Sequence, residues 1–211
     1  MARQTSEGRR DAPEVEALPA SQRARRDRIV ETAVELLATD DYEKIHMRLV
    51  ADRAGVALGT LYRYFPSKDL LFATALIRWA ETFEQSYQRT IRSTETDPAV
   101  RLRRTMHVVV RAFERNPRFF GLMMAMQVSD DPEVAALYER YTGTTSRVVR
   151  DALEGIDERW IAPIETLVWA AVFNLLRRWS LHGLPLTEVR AQLDDCIDLI
   201  FTTPTGARLA G

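Results

Sequence analysis

The sequence predicts an all-α protein of about nine helices, with an N-terminal helix-turn-helix domain of three helices and a larger helical C-terminal region. Three observations carry that expectation. No segment alternates apolar and polar residues over the length of a strand. Three dipeptides, Asp97-Pro98, Asn116-Pro117 and Asp131-Pro132, each set a capping side chain before a proline suited to the first helical position. Residues 47 to 68, MRLVADRAGVALGTLYRYFPSK, read as two short helices joined by a tight turn and followed by the start of a third.

Ser21 to Ala38 forms an amphipathic helix with Ile29, Ala33, Leu36 and Leu37 on one face. Thr39-Asp40-Asp41-Tyr42 is a polar break. Leu49, Val50 and Ala54 then make an apolar stripe on a short helix. Gly55 follows where a C-cap needs a left-handed residue, and Val56 closes the turn as a hydrophobic plug. Ala57 to Tyr64 form the second short helix, which Pro66 ends. Ser67, with Asp69 two residues on, caps a helix reaching about Ser93. The three dipeptides open helices at 98–115, 117–127 and 132–155. Pro163 opens another, ending near His182-Gly183. Pro185 and Thr187 introduce the last, which ends before Pro204. No internal repeat is visible.

A chain of 211 residues is long enough for one or two domains with a real core. Its 46% apolar content fits a soluble globular protein, and no apolar run reaches the length of a membrane span. The first twenty residues lack the apolar core of a secretory signal and read as a disordered, charged arm. The single cysteine, Cys196, excludes an internal disulfide and fits a reducing cytoplasm, where it serves as a small hydrophobe in a helix. Localisation is therefore expected to be cytoplasmic.

Two short helices joined by a glycine-containing turn form the unit that docks in the DNA major groove. Ala57 and Gly59 keep the front of the second helix slim enough for close approach. Leu61 and Phe65, four apart on the opposite side, anchor it to its own core. Thr60, Tyr62, Arg63 and Tyr64 are left for the DNA. Thr60 offers a hydroxyl and a methyl, and the tyrosine hydroxyls suit phosphate oxygens. Lys68 would meet the backbone, and Arg48 suits a phosphate or a guanine. The whole chain carries a net charge of −1, so it is no general polyanion binder. Residues 44 to 68 nevertheless hold Lys44, Arg48, Arg53, Arg63 and Lys68 against Asp52 alone. Residues 21 to 28 hold four arginines against Asp27. Basic residues at a helix start oppose the macrodipole, so phosphate neutralisation explains them better than helix stability.

The run Gly59-Thr60-Leu61-Tyr62-Arg63-Tyr64-Phe65 closely resembles the recognition helix of the TetR family of bacterial transcription repressors. The resemblance covers the plan of the chain from about Ser21 to Thr202. Ala57 and Leu58 immediately precede that run and join the candidate DNA-binding residues. The family plan implies an arm at 1–20, a DNA-binding domain at 21–66, a ligand-binding and dimerisation domain at 67–202, and a tail at 203–211. It also implies a homodimer on palindromic double-stranded operator DNA, released by a small effector and requiring no cofactor or metal.

Residues 106 to 127 are rich in methionine and phenylalanine, and methionine adapts to irregular apolar shapes. Under the resemblance, Met106, Phe113, Phe120, Met123 and Met124 line a cavity for an apolar ligand. Trp169 and Phe173 close its wall, with Gln127 and Asn174 as polar handles. Singly, each of these residues reads more readily as ordinary core, and His107 as a satisfied core histidine, while the cluster as a group favours a pocket. Leu167, Ala170, Ala171, Leu175, Leu193, Ile197 and Ile200 give the last two helices more apolar surface than one layer hides. In this family such helices form a four-helix dimer interface. Within the family, residues 50–68, Arg115-Asn116-Pro117 and Asn174-Leu175-Leu176 are similar to those of the KstR-type regulators of sterol catabolism, whose effectors are sterol-derived coenzyme A thioesters.

Other readings stay open on sequence grounds. Nothing favours an enzyme: His46, His107 and His182 lie far apart, and no nucleophile elbow, phosphate-binding glycine loop or Cys-x-x-Cys is present. A helical interaction or ligand-binding protein without operator-specific DNA binding would share this helix pattern. So would a corepressor-dependent regulator or an activator on the same scaffold.

Overall fold

The computed structural model describes residues 18–91 and 95–202, with backbone alone for 83–91. Residues 1–17 of the expected arm, the end of the fourth helix at 92–94 and the tail at 203–211 lie outside the described residues. Among the described residues the chain forms nine α-helices and no strand. These are α1 Ala20–Thr39, α2 Met47–Ala54, α3 Leu58–Tyr64, α4 Lys68–Ile91, α5 Pro98–Arg115, α6 Pro117–Gln127, α7 Pro132–Ala152, α8 Glu158–His182 and α9 Leu186–Thr202. A 3-10 turn, Tyr42–Lys44, lies between α1 and α2. Among the described residues no helix is long and apolar enough to cross a membrane.

Local chemistry explains several boundaries. The Asp97 carboxylate accepts from the Ala99 N–H at 2.8 Å, and that of Asp131 from the Glu133 N–H at 3.0 Å. Both are N-caps followed by proline. Asn116 behaves differently, because its side-chain amide turns back to the Ala112 carbonyl at 3.3 Å and closes α5. Pro163 does not open a helix. Asp157 does, its carboxylate accepting from the Arg159 N–H at 3.1 Å, and Pro163 lies inside α8. The proline forfeits one backbone bond, which the acidic cap and the long packed helix outweigh. Helix α7 also stops earlier than expected, at Ala152. Gly155, at φ 91°, then carries the turn that buries Ile156.

The DNA-domain bundle packs Ile29, Val30, Ala33, Leu36 and Leu37 of α1 against Met47, Val50, Ala51 and Ala54 of α2. Leu49 was expected in that stripe and is exposed instead, since it sits ~100° around the helix from Val50. Arg28 Nε donates to the Ala54 carbonyl at 3.0 Å, where α2 ends. Arg26 lies over the Phe65 ring at 4.8 Å, and burial pushes its pKa down. Two of the four arginines in residues 21–28 therefore hold the bundle together.

Helix α4 packs on α1 at one end and runs into the C-terminal region beside α5, α6 and α7. Behind it, α9 packs against α5 and α8. Leu175, Leu193 and Ile197 are spent in this internal core, so they leave the expected dimer face. His107 Nε2 lies 2.8 Å from Asp194 Oδ1, joining α5 to α9. Arg103 pairs with Asp194 and Asp198 beside it, and His107 is thus a satisfied structural residue.

Gly55 holds φ 64° with open space around its missing Cβ. Gly55→Ala should therefore lower unfolding stability by about 1 kcal/mol, from left-handed strain alone. Urea denaturation of the two proteins checks this.

Candidate DNA-binding face and effector cavity

The helix-turn-helix is set by hydrogen bonds at its turn. Gly55 takes the left-handed conformation, φ 64° and ψ 41°. Its N–H donates to the Asp52 carbonyl at 3.3 Å, and the Val56 N–H to that of Ala51 at 3.0 Å. This ties off α2 and aims the chain into α3. The Ala57 carbonyl then accepts from Thr60 and Leu61, at 2.8 and 3.1 Å, to start α3. Leu61 and Phe65 are buried, anchoring the helix as expected.

The opposite side of the motif is open. Arg48, Ala57, Leu58, Gly59 and Arg63 are exposed, Tyr62 is 45% exposed, and Thr60 is partly so. Tyr64 is only 2% exposed and cannot join them. It follows Leu61 by three residues, which puts it ~60° from the anchoring side chain and on the same face. Its hydroxyl is buried without a hydrogen-bond partner, and the Arg63 guanidinium lies 5.5 Å from its ring centre.

Lys68 sits where α4 begins, beside this face. Ser67 Oγ accepts from the Leu70 N–H at 3.1 Å and caps the helix. The Lys68 ammonium lies 4.2 Å above the Tyr42 ring and donates to the Glu43 carbonyl at 3.4 Å. Partial burial pushes its pKa down. Tyr42 in turn packs edge-on against Phe72 at 5.3 Å and donates its hydroxyl to Asp69. The sequence reading assigned Tyr42 to a polar break and missed it as the support under Lys68. Lys44 is taken up by Asp41 at 2.6 Å.

A cavity of about 380 Å³ lies among α5, α6, α7 and α8. Of the expected lining residues, Phe113, Met123, Gln127, Trp169 and Phe173 are brought together there. Four others do not line it. Met106 precedes Phe113 by two turns, ~10 Å along the helix, and is sealed in the core. Phe120 stands behind the wall, edge-on to Phe113 at 5.7 Å and 6.0 Å from Phe173. Met124 and Asn174 each follow a lining residue by one position, so both are rotated ~100° away, and Asn174 faces outward. The wall that the sequence reading missed comes from α7: Tyr138, Tyr141, Thr142, Thr145 and Ser146. Its signal was present as hydroxyl residues at i, i+3, i+4, i+7 and i+8.

Among the described residues no Asp, Glu, Lys, Arg or His lines the cavity. The Tyr141 hydroxyl is fully buried, donates to Met123 Sδ at 3.4 Å, and is pushed far above the usual tyrosine range by desolvation. Phe113 reaches from the cavity wall to Trp79 of α4 at 5.1 Å, and Trp79 stacks on Phe119 at 4.7 Å.

This geometry agrees with what the chain is similar to. Residues 29–75 match the family model described as bacterial regulatory proteins, tetR family. The HTH-type transcriptional repressor KstR of Mycolicibacterium smegmatis is 33% identical over 187 residues, covering 87% of this chain and 90% of that protein. A TetR transcriptional regulator from Rhodococcus sp. RHA1 superposes with a TM-score of 0.72 at 23% identity, over 87% of this chain and 99% of that one. The Bacillus subtilis regulator FadR, solved in complex with stearoyl-CoA, superposes with a TM-score of 0.64 at 15% identity, over 82% of this chain and 96% of that one. The chain belongs to the TetR family of helix-turn-helix transcriptional regulators.

Because the Tyr64 hydroxyl is buried without a partner, Tyr64→Phe should raise stability by about 1 kcal/mol, the lower end of an unsatisfied polar group's cost. Thermal unfolding tests the sign; a clear loss would show that the hydroxyl is satisfied.

Proposed function

We propose that this protein is a homodimeric repressor that binds a palindromic operator and is released when a small apolar ligand fills the α5–α8 cavity. The observation that carries the DNA half is the open face of the motif, where Arg48, Thr60, Tyr62, Arg63 and Lys68 surround the slim front at Ala57 and Gly59. The likeness to a named repressor over most of both chains supports the sign of regulation. One seven-residue helix reads few base pairs. A two-fold dimer reads two half-sites, ~34 Å or a multiple apart.

The proposed dimer forms through α8 and α9. Leu167, Leu181 and Leu199 are 59%, 63% and 64% exposed on these helices, with Ala170 and Asn174 between the first two on α8. Such a face suits a four-helix contact with a second copy. Leu167→Asp with Leu181→Asp should convert the dimer to a folded monomer in sedimentation and abolish operator binding. A dimer that survives both changes would place the interface elsewhere.

Effector action follows from linkage. A ligand that prefers the DNA-incompetent state weakens DNA binding by the factor by which DNA weakens ligand binding. The cavity wall at Phe113 touches Trp79 on α4, and the same helix begins at Lys68. Displacing α4 would move both subunits' recognition helices off register.

Capture of genomic fragments by the purified protein at about 0.15 M salt tests the reading. One shared palindrome is the expected product, with affinity falling steeply as salt rises. Fragments without a shared motif would overturn operator specificity. On that operator, Tyr62→Phe should cost about 1 kcal/mol, near fivefold in Kd, and equally for all sequences if its partner is phosphate. Loss confined to one base position would assign Tyr62 to base readout.

A further inference from the structure

The two long walls of the cavity differ chemically. On the α8 side, Trp169, Val172, Phe173 and Leu176 present an aromatic and aliphatic surface, continued by Phe113 and Met123. On the α7 side, Tyr138, Tyr141, Thr142, Thr145 and Ser146 run at the i, i+3, i+4, i+7, i+8 spacing of one helix face. Every residue in that strip carries a hydroxyl. We propose that the cavity selects an uncharged, flat ring compound bearing hydroxyl groups along one edge. This rests on the reading of the cavity as the effector site and gives that site its ligand class.

Two physical arguments lead there. The first concerns charge. Among the described residues no ionisable side chain but the two tyrosines lines the space, and burial shifts both upward, so they stay neutral. An ionised carboxylate or ammonium held inside would lose its hydration and meet no counter-charge. The arginines of α7 nearest by sequence, Arg140 and Arg147, line a separate surface groove with Glu81. The second concerns proton direction. Thr142 Oγ1 already donates to the Glu139 carbonyl at 2.8 Å. Thr145 Oγ1 donates to the carbonyls of Thr142 at 3.0 Å and Tyr141 at 3.2 Å. Their protons are committed, and their lone pairs remain to accept. At Thr142 and Thr145 the strip therefore takes hydrogen-bond donors from the ligand. The opposite wall gives ring faces something to stack on.

Three probes on one ring system separate these features: 9-anthracenemethanol, 9-methylanthracene and anthracene-9-carboxylate. Their binding is read from quenching of protein tryptophan emission at pH 7.5. The alcohol is expected to bind at least tenfold more tightly than the carboxylate. In Thr142→Val/Thr145→Val its affinity should fall about tenfold, with that of 9-methylanthracene unchanged. Ser146→Ala/Tyr138→Phe provides a second stripped wall should the first variant fold poorly. Equal binding of carboxylate and alcohol overturns the proposal. So does a variant that weakens alcohol and methyl probes alike, and so does a cavity that takes none of the three. Failure of the underlying effector reading looks different: the alcohol binds with the predicted preference and leaves affinity for the captured operator unchanged.

Discussion

The burial of α4 is the constraint on which the rest of the molecule depends. Leu70, Leu71, Phe72, Ala73, Ala75, Leu76, Ile77 and Ala80 are all buried, so the first half of this helix has apolar residues on most of its circumference. A helix of that kind needs neighbours on several sides. Helix α1 supplies one side, and α6 and α7 supply others. The DNA-binding bundle and the cavity domain consequently share one continuous hydrophobic core. Neither can shift without repacking side chains of the other, because interiors are close-packed and respond to displacement in discrete rearrangements. The start of α4 at Lys68 and its middle at Trp79 are thereby mechanically one object.

The parts of this arrangement readable in the sequence were those written in local backbone chemistry. Gly55 announces a left-handed turn, and Asp97-Pro98 and Asp131-Pro132 announce capped helix starts. Each rule needs only a few adjacent residues. Pro163 shows where such a rule misleads, since a stronger cap six residues upstream opens the helix and the proline is absorbed. Tyr64 shows a second kind of error. Its chemistry suggested phosphate contact, while its position three residues after Leu61 placed it in the core. In a helix of seven residues, angle outweighs side-chain type.

The cavity was harder to read because it is a tertiary object. Methionine and phenylalanine pointed to α6 and correctly to Met123, but Met106 and Phe120 share that composition and are sealed in the core. What distinguishes lining from filling is distance along the helix and the angle to a space whose walls come from four elements. The α7 wall was overlooked for the opposite reason. Tyr138, Thr142, Thr145 and Ser146 carry no methionine or phenylalanine to mark them, and the opposing aromatic wall is what makes their face a lining. A hydroxyl strip at helical spacing becomes informative when another apolar element has to cover it.

Among the contacts that join the α5–α6 region to α1, the 3-10 turn and α4, two differ in magnitude. Arg118 of α6 donates to the Ala38 carbonyl at 3.0 Å and pairs with Asp41 at 3.2 Å. Both of its charged ends are more than a third exposed, and such pairs contribute about 0–1 kcal/mol. The aromatic set of Phe113, Trp79 and Phe119 is largely buried. Each ring pair there adds about 0.5–1.5 kcal/mol beyond area burial. Coupling between an effector site and a second site is typically roughly 1–3 kcal/mol, or about 5–150-fold in affinity. The exposed ion pair falls short of that range on its own, and salt weakens it further. The aromatic set spans it. Under the proposed mechanism, the signal therefore passes through the packing of Trp79 on α4, and the Arg118 contact serves chiefly to hold the end of α1 against α6.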